Sequence, residues 1–136
     1  MVGHIASGRN RIGYVWYPDG TSRALPTPVV DGEPAIDFDA RRARNGWVTG
    51  FVMPAKGSFV GVRWDLVTGE VMVLDQVGWS HGVSADGWIV GMDRQDDAVL
   101  TDGMRILKLQ TKECLRAARP AKGCALVGRA LPVPTL

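Results

Sequence analysis

The chain has 136 residues, of which 46% are hydrophobic and 22% charged, with a formal net charge of +2. That size suits a single hydrophobic core, and the composition argues against wholesale disorder. So small a charge gives no reason to expect nucleic-acid or membrane binding. No apolar stretch approaches the roughly 18 residues that a membrane helix needs. Met1 to Arg9 shows no basic segment followed by an apolar one, so no secretory signal is visible and a cytoplasmic setting is the expectation. The 17 glycines and 8 prolines favour many turns, and hence short strands over long helices.

Self-similarity organises the body of the chain. The first copy opens at Val2-Gly3. An apolar run follows from Arg11 to Tyr17, then an Asp19-Gly20 turn, then a run from Thr21 to Leu25. A strand is expected at Ala35 to Phe38, leading through the basic cluster Arg41, Arg42 and Arg44 into the second copy. That copy reads Asn45-Gly46-Trp47-Val48-Thr49-Gly50, then Phe59 to Trp64, a Thr68-Gly69 turn and Glu70 to Leu74. A strand at Trp79 to Val83 leads into the third copy. Asp86-Gly87-Trp88-Ile89-Val90-Gly91 is followed by Asp97 to Thr101, an Asp102-Gly103 turn and Met104 to Leu109. The anchor glycines Gly3, Gly50 and Gly91 are 47 and 41 residues apart. Trp16 and Trp64 hold matching places, which Leu100 takes in the third copy. Asp-Gly between alternating apolar runs is a strong hairpin signal. Four short strands recurring at this period match a β-propeller blade.

The motif Ser80-x-x-Val83-Ser84-x-Asp86-Gly87-x-Ile89-Val90-Gly91, with an apolar strand and an Asp-Gly turn after it, resembles the HAF-type bacterial repeat. Asn45-Gly46-x-Val48-x-Gly50 with Val62-Arg63-Trp64-Asp65 matches the same theme, as do Val2-Gly3 and Tyr14-Val15-Trp16. The resemblance spans residues 2 to 109. It implies an all-β fold of antiparallel, blade-like repeats, a partial propeller of about two and a half to three copies, and an extracellular setting. It carries no catalytic residue with it. The place of Trp47 and Trp88 in the first copy would fall before Met1, so the frame starts inside a copy. So few blades cannot close a ring of four to eight. Self-association, membership of a longer repeat protein, or an open sheet stack are the expectations.

Residues 1 to 110 carry 11 basic and 13 acidic side chains, and residues 111 to 136 carry 5 and 1. A mildly acidic repeat domain thus precedes a basic tail. Thr111 to Arg119 reads as a short helix ended by Pro120, and the remainder as irregular. Cys114 and Cys124 are expected to be reduced thiols, with a small disulfide loop as the alternative.

Candidate chemistry is sparse. Gly78-Trp79-Ser80-His81-Gly82 fits G-x-S-x-G, but that motif works on a strand–turn–helix elbow with a histidine downstream. Val83 to Gly87, directly after the motif, is turn-like, and the histidines are His4 and His81. Metal-ligand spacings such as C-x-x-C or H-x-x-x-H are missing, and no cofactor is expected. Asp93, Asp96, Asp97 and Asp102 lack the order of a calcium loop and read as a solvated hairpin loop. Arg41, Arg42 and Arg44 could meet an anionic partner through bidentate bonds, or could be a solvated connection balanced by Asp37 and Asp39. Trp79 stands outside the repeat frame and is the best candidate for an exposed aromatic anchor, with a buried packing role as the leading expectation. The leading expectation is a non-catalytic binding module that contacts itself or another protein, with Trp79, Ser80, His81, Arg41, Arg42 and Arg44 as binding residues. One alternative is a hydrolase-like site around Ser80 and His81 formed on assembly. Another is a truncated repeat protein without an independent role.

Overall fold

The computed structural model describes residues 1–110, and every regular element among them is a strand. The first sheet holds β1 (Val2–Ser7), β2 (Asn10–Trp16) and β3 (Ser22–Ala24). A small hairpin of β4 (Val29–Val30) and β5 (Glu33–Pro34) comes next. The second large sheet holds β6 (Phe38–Arg44), β7 (Trp47–Val52), β8 (Val60–Asp65) and β9 (Val71–Leu74). The third holds β10 (Trp79–Val83), β11 (Ile89–Met92), β12 (Ala98–Thr101) and β13 (Ile106–Gln110). Each sheet runs in chain order with antiparallel neighbours. The chain is therefore all-β, with the three blade-like sheets at the expected places. The helix expected at Thr111 to Arg119, the irregular tail and the two cysteines lie outside the described residues.

Turn chemistry fixes these hairpins. Asn45 and Gly46 both take positive φ, 52° and 82°, as the tight turn between β6 and β7 requires. Aspartates close other turns by accepting backbone N–H bonds. Asp102 Oδ1 takes those of Met104 and Arg105 at 2.9 and 2.8 Å, and Asp65 Oδ1 takes that of Val67 at 2.9 Å. Because these carboxylates are tied into the chain, few are left to form a site.

Four details differ from the sequence reading. The strand before the second anchor spans Phe38–Arg44 and not Ala35 to Phe38. Asp37 is drawn aside by Arg11, whose Nε and Nη2 donate to its two carboxylate oxygens at 2.8 and 3.0 Å. Arg41, Arg42 and Arg44 consequently lie within a paired strand, not in a connection. Pairing register also moves the third tryptophan place by one residue. Trp64 faces Val48 two positions before Gly50, and Thr101 faces Ile89 two positions before Gly91, so Thr101 and not Leu100 stands there. The β4–β5 hairpin went unforeseen, although Asp31-Gly32 carries its turn signal.

The core has two layers, one on each face of the second sheet. Alternation along β7 and β8 sends Val48, Val52, Val60, Val62 and Trp64 to one face. There they meet Val15 of the first sheet and Leu25, which directly follows β3, together with Phe38. Trp64 is fully buried, and its Nε1 donates to the Pro26 carbonyl at 2.8 Å. On the opposite face Leu74, Met72 and Trp47 pack with Val83, Ile89, Val99 and Ile106. Arg63 crosses this second layer. Its Nη1 donates to the carbonyls of Gly87 and Asp102 at 2.6 and 3.1 Å, and its guanidinium lies 4.5 Å from the centre of the Trp47 ring. This packing brings β6 against β1 and β2, and β10 against β6 and β7.

Candidate functional site: a cleft between bulged strands

The anchor glycines explain the site. In the second sheet Ala40 faces Gly50 and Arg42 faces Thr49, so Arg41 is an extra, unpaired residue. In the third, Ser80 faces Gly91 and Gly82 faces Val90, leaving His81 extra. The same β-bulge thus recurs opposite the same glycine in two repeats. A Cβ on Gly50 would strike the Asp39 carbonyl oxygen and come within 2.9 Å of the Ala40 Cα. A Cβ on Gly91 would strike the Trp79 carbonyl oxygen and come within 3.1 Å of the Ser80 Cα. Both glycines are required by the close approach of the bulged backbone, a reason that differs from the turn glycines.

Bulges re-aim side chains. In a regular strand consecutive residues point to opposite faces, yet Arg41 and Arg42 both line one cleft, together with Trp79, Ser80 and His81 from β10. Val2, Gly3 and His4 of β1 form a third wall. The cleft has a volume of about 390 Å³. Of the residues singled out in the sequence, Arg41, Arg42, Trp79, Ser80 and His81 meet there. Arg44, at the far end of β6, does not.

Two matched contacts join the sheets around this cleft. The residue after each anchor glycine meets the residue before the bulge of the next sheet. Between the second and third sheets this pair is Phe51 and Trp79, stacked with ring centres 5.0 Å apart and planes at 18°. Phe59 meets both rings edge-on, at 4.8 and 5.6 Å. Between the first and second sheets the pair is His4 and Asp39, with His4 Nδ1 3.0 Å from Asp39 Oδ1. Trp79, which the sequence frame left without a counterpart, thus corresponds to Asp39. Sequence reasoning named Asp39 as a balance to the arginines, which the Arg41 contact matches, but missed His4 and its pairing with Asp39. The available signal was His4's position directly after an anchor glycine, the place Phe51 holds in the next copy.

The cleft is polar and carries excess positive charge. Asp39 is 1% exposed, and its Oδ2 accepts from Arg41 Nη1 at 3.4 Å. The Arg41 guanidinium also lies 5.5 Å from the centres of both the Phe51 and Trp79 rings, a cation–π placement. Arg42 donates from Nη1 to the Arg41 carbonyl at 3.1 Å. Neither guanidinium makes another hydrogen bond among the described residues. Asp37 lies outside the cleft, and the hydrogen bond from Arg11 holds its carboxyl below the usual carboxylate range.

Ser80 is a structural hydroxyl here. It is 4% exposed, and its Oγ donates to the Gly50 carbonyl at 2.6 Å, tying the third sheet to the second. It sits within a strand, without the strand–turn–helix elbow that exposes a nucleophile. His81 is exposed at the bulge tip, its ring 6.5 Å from that of Trp79. The acidic loop is equally committed. Asp93 Oδ1 accepts the backbone N–H groups of Gln95 and Asp97, both at 2.9 Å, and Lys108 Nζ lies 3.2 Å from Asp97 Oδ2. No helix among the described residues is long and apolar enough to cross a membrane. No family model matches the chain, and neither a curated protein nor a solved structure matches it.

Proposed function

We propose that this chain is a non-catalytic binding module whose recognition surface is the cleft between the bulged strands. The observation that carries this reading is convergence. Strands from three sheets bring Arg41, Arg42, Trp79, His4 and His81 to one concave surface, while the hydroxyl that would serve as a nucleophile is bonded to a backbone carbonyl. Small-molecule sites combine such a concavity with a few well-placed polar groups. The cleft rests on a repeated scaffold, whose bulges vary in side chain while the backbone stays fixed, and this suits recognition.

Self-association belongs to the same reading. β7 and β11 are paired on both edges, but β1 is paired among the described residues only with β2. An open six-residue strand is a template for another chain. Sedimentation at rising concentration tests this: reversible dimers are expected, and a monomer at all concentrations would remove self-association from the account.

For the cleft itself, the test is amide-resolved nuclear magnetic resonance with a panel of small neutral, cationic and anionic compounds. Perturbations should cluster at residues 2–4, 39–42 and 79–81. Perturbations confined to other surfaces, or turnover of an ester panel abolished by S80A, would contradict the reading.

A further inference from the structure

We infer that the ligand of this cleft is a small organic carboxylate carrying a single negative charge; this rests on the cleft being the binding surface. At the bulge in β6 two successive arginines, Arg41 and Arg42, line one opening. Each guanidinium spends one N–H group on the protein, Arg41 on Asp39 and Arg42 on the Arg41 carbonyl. Since a guanidinium offers five donors in a planar fork, most of this donor capacity makes no hydrogen bond among the described residues, and a carboxylate accepts such donors in pairs.

Charge sets the valence. The groups of fixed charge that line the cleft are Arg41, Arg42 and Asp39, which leave one net positive charge. Asp39 is buried and bonded to His4 and Arg41, so its carboxylate cannot swing away to make room for a second negative charge. A doubly charged phosphate would be under-compensated, and a monoanion is matched. Trp79 also lines the cleft, and its ring is held by Phe51, stacked at 5.0 Å, and by Phe59, edge-on at 5.6 Å. The cleft's volume of about 390 Å³ holds a carboxylate as small as one carried on a single ring.

The experiment compares benzoate with benzamide, which has nearly the same shape and no charge, in titrations of the full chain followed by amide resonances. Benzoate should bind saturably at residues 39–42 and 79–81, and benzamide should not. R42Q should weaken benzoate about tenfold, the effect of losing a charge-assisted hydrogen bond. Arg42 is exposed and bonds only the neighbouring carbonyl, so this variant should fold; its circular dichroism checks that. Equal binding of benzoate and benzamide at the cleft would overturn the charge inference and leave the binding reading standing. No binding of either at the cleft would overturn both. Tighter binding of inorganic phosphate than of benzoate, or unchanged benzoate affinity in R42Q, would overturn the carboxylate assignment alone.

Discussion

Replacing Gly50 with alanine probes the link between the repeat pattern and the cleft. The added Cβ would meet the Asp39 carbonyl oxygen and the Ala40 Cα, both backbone atoms of the bulge. Backbone cannot rotate aside as a side chain can, so β6 must move away from β7 or lose its bulge. Overpacking a tight site costs about 1–3 kcal/mol, and a backbone clash belongs at the upper end, near 3 kcal/mol. At about 3–5 °C per kcal/mol, between the values for smaller and larger domains, G50A should lower Tm by roughly 9–15 °C. Gly3 supplies the control. It holds the same repeat place, but no bulged strand pairs beside it among the described residues, and a Cβ there would meet only the Trp16 ring at 3.3 Å. A ring can give by a few tenths of an ångström, so G3A should cost under about 1 kcal/mol. Thermal unfolding followed by circular dichroism compares the two. If G50A and G3A shift Tm equally, the bulge is not what requires the glycine.

Other outcomes rest on single contacts. G91A should behave like G50A, because its Cβ would strike the Trp79 carbonyl oxygen; a thermal melt resembling that of G3A would count against the shared bulge. Asp37 has its carboxyl lowered by the Arg11 hydrogen bond, so its stabilisation is present above the unfolded-state pKa of about 3.9 and lost as pH falls through the folded value. Urea unfolding should therefore show wild type more stable than D37N at neutral pH, with the gap closing in acid; a gap that persists there would refute the assignment. R63M should cost about 1–3 kcal/mol in the same assay, since it leaves the Gly87 and Asp102 carbonyls without their donor across the second core layer. S80A should cost about 1 kcal/mol and leave binding at the cleft intact, because the hydroxyl serves the Gly50 carbonyl; loss of binding at unchanged stability would reassign it.

The fold was largely legible because its signals are local. Asp19-Gly20, Thr68-Gly69 and Asp102-Gly103 mark turns that the structure contains, and apolar alternation locates the strands between them. The site was legible in its residue types but not in its geometry. A bulge is a shift in pairing between two strands, and no single residue announces it. Without that shift Trp79 has no counterpart; Arg41, Arg42 and Arg44 read as a connection because the expected strand ends at Phe38, and Leu100 stands in place of tryptophan until the pairing of β11 with β12 is known. Once register is known, Trp79 aligns with Asp39, Thr101 with Trp64, and His81 with Arg41. The His4–Asp39 contact was hidden for the same reason, since it joins residues 35 positions apart through packing of two sheets.

The anchor glycines Gly50 and Gly91 seat the bulges that bring Arg41, Arg42 and His81 to one cleft. Cross-strand nuclear Overhauser contacts between β6 and β7 test it most directly. Ala40 should face Gly50 and Arg42 should face Thr49, with Arg41 skipped. Contacts placing Arg41 opposite Thr49, in an unbroken ladder with Ala40 opposite Gly50, would contradict the account.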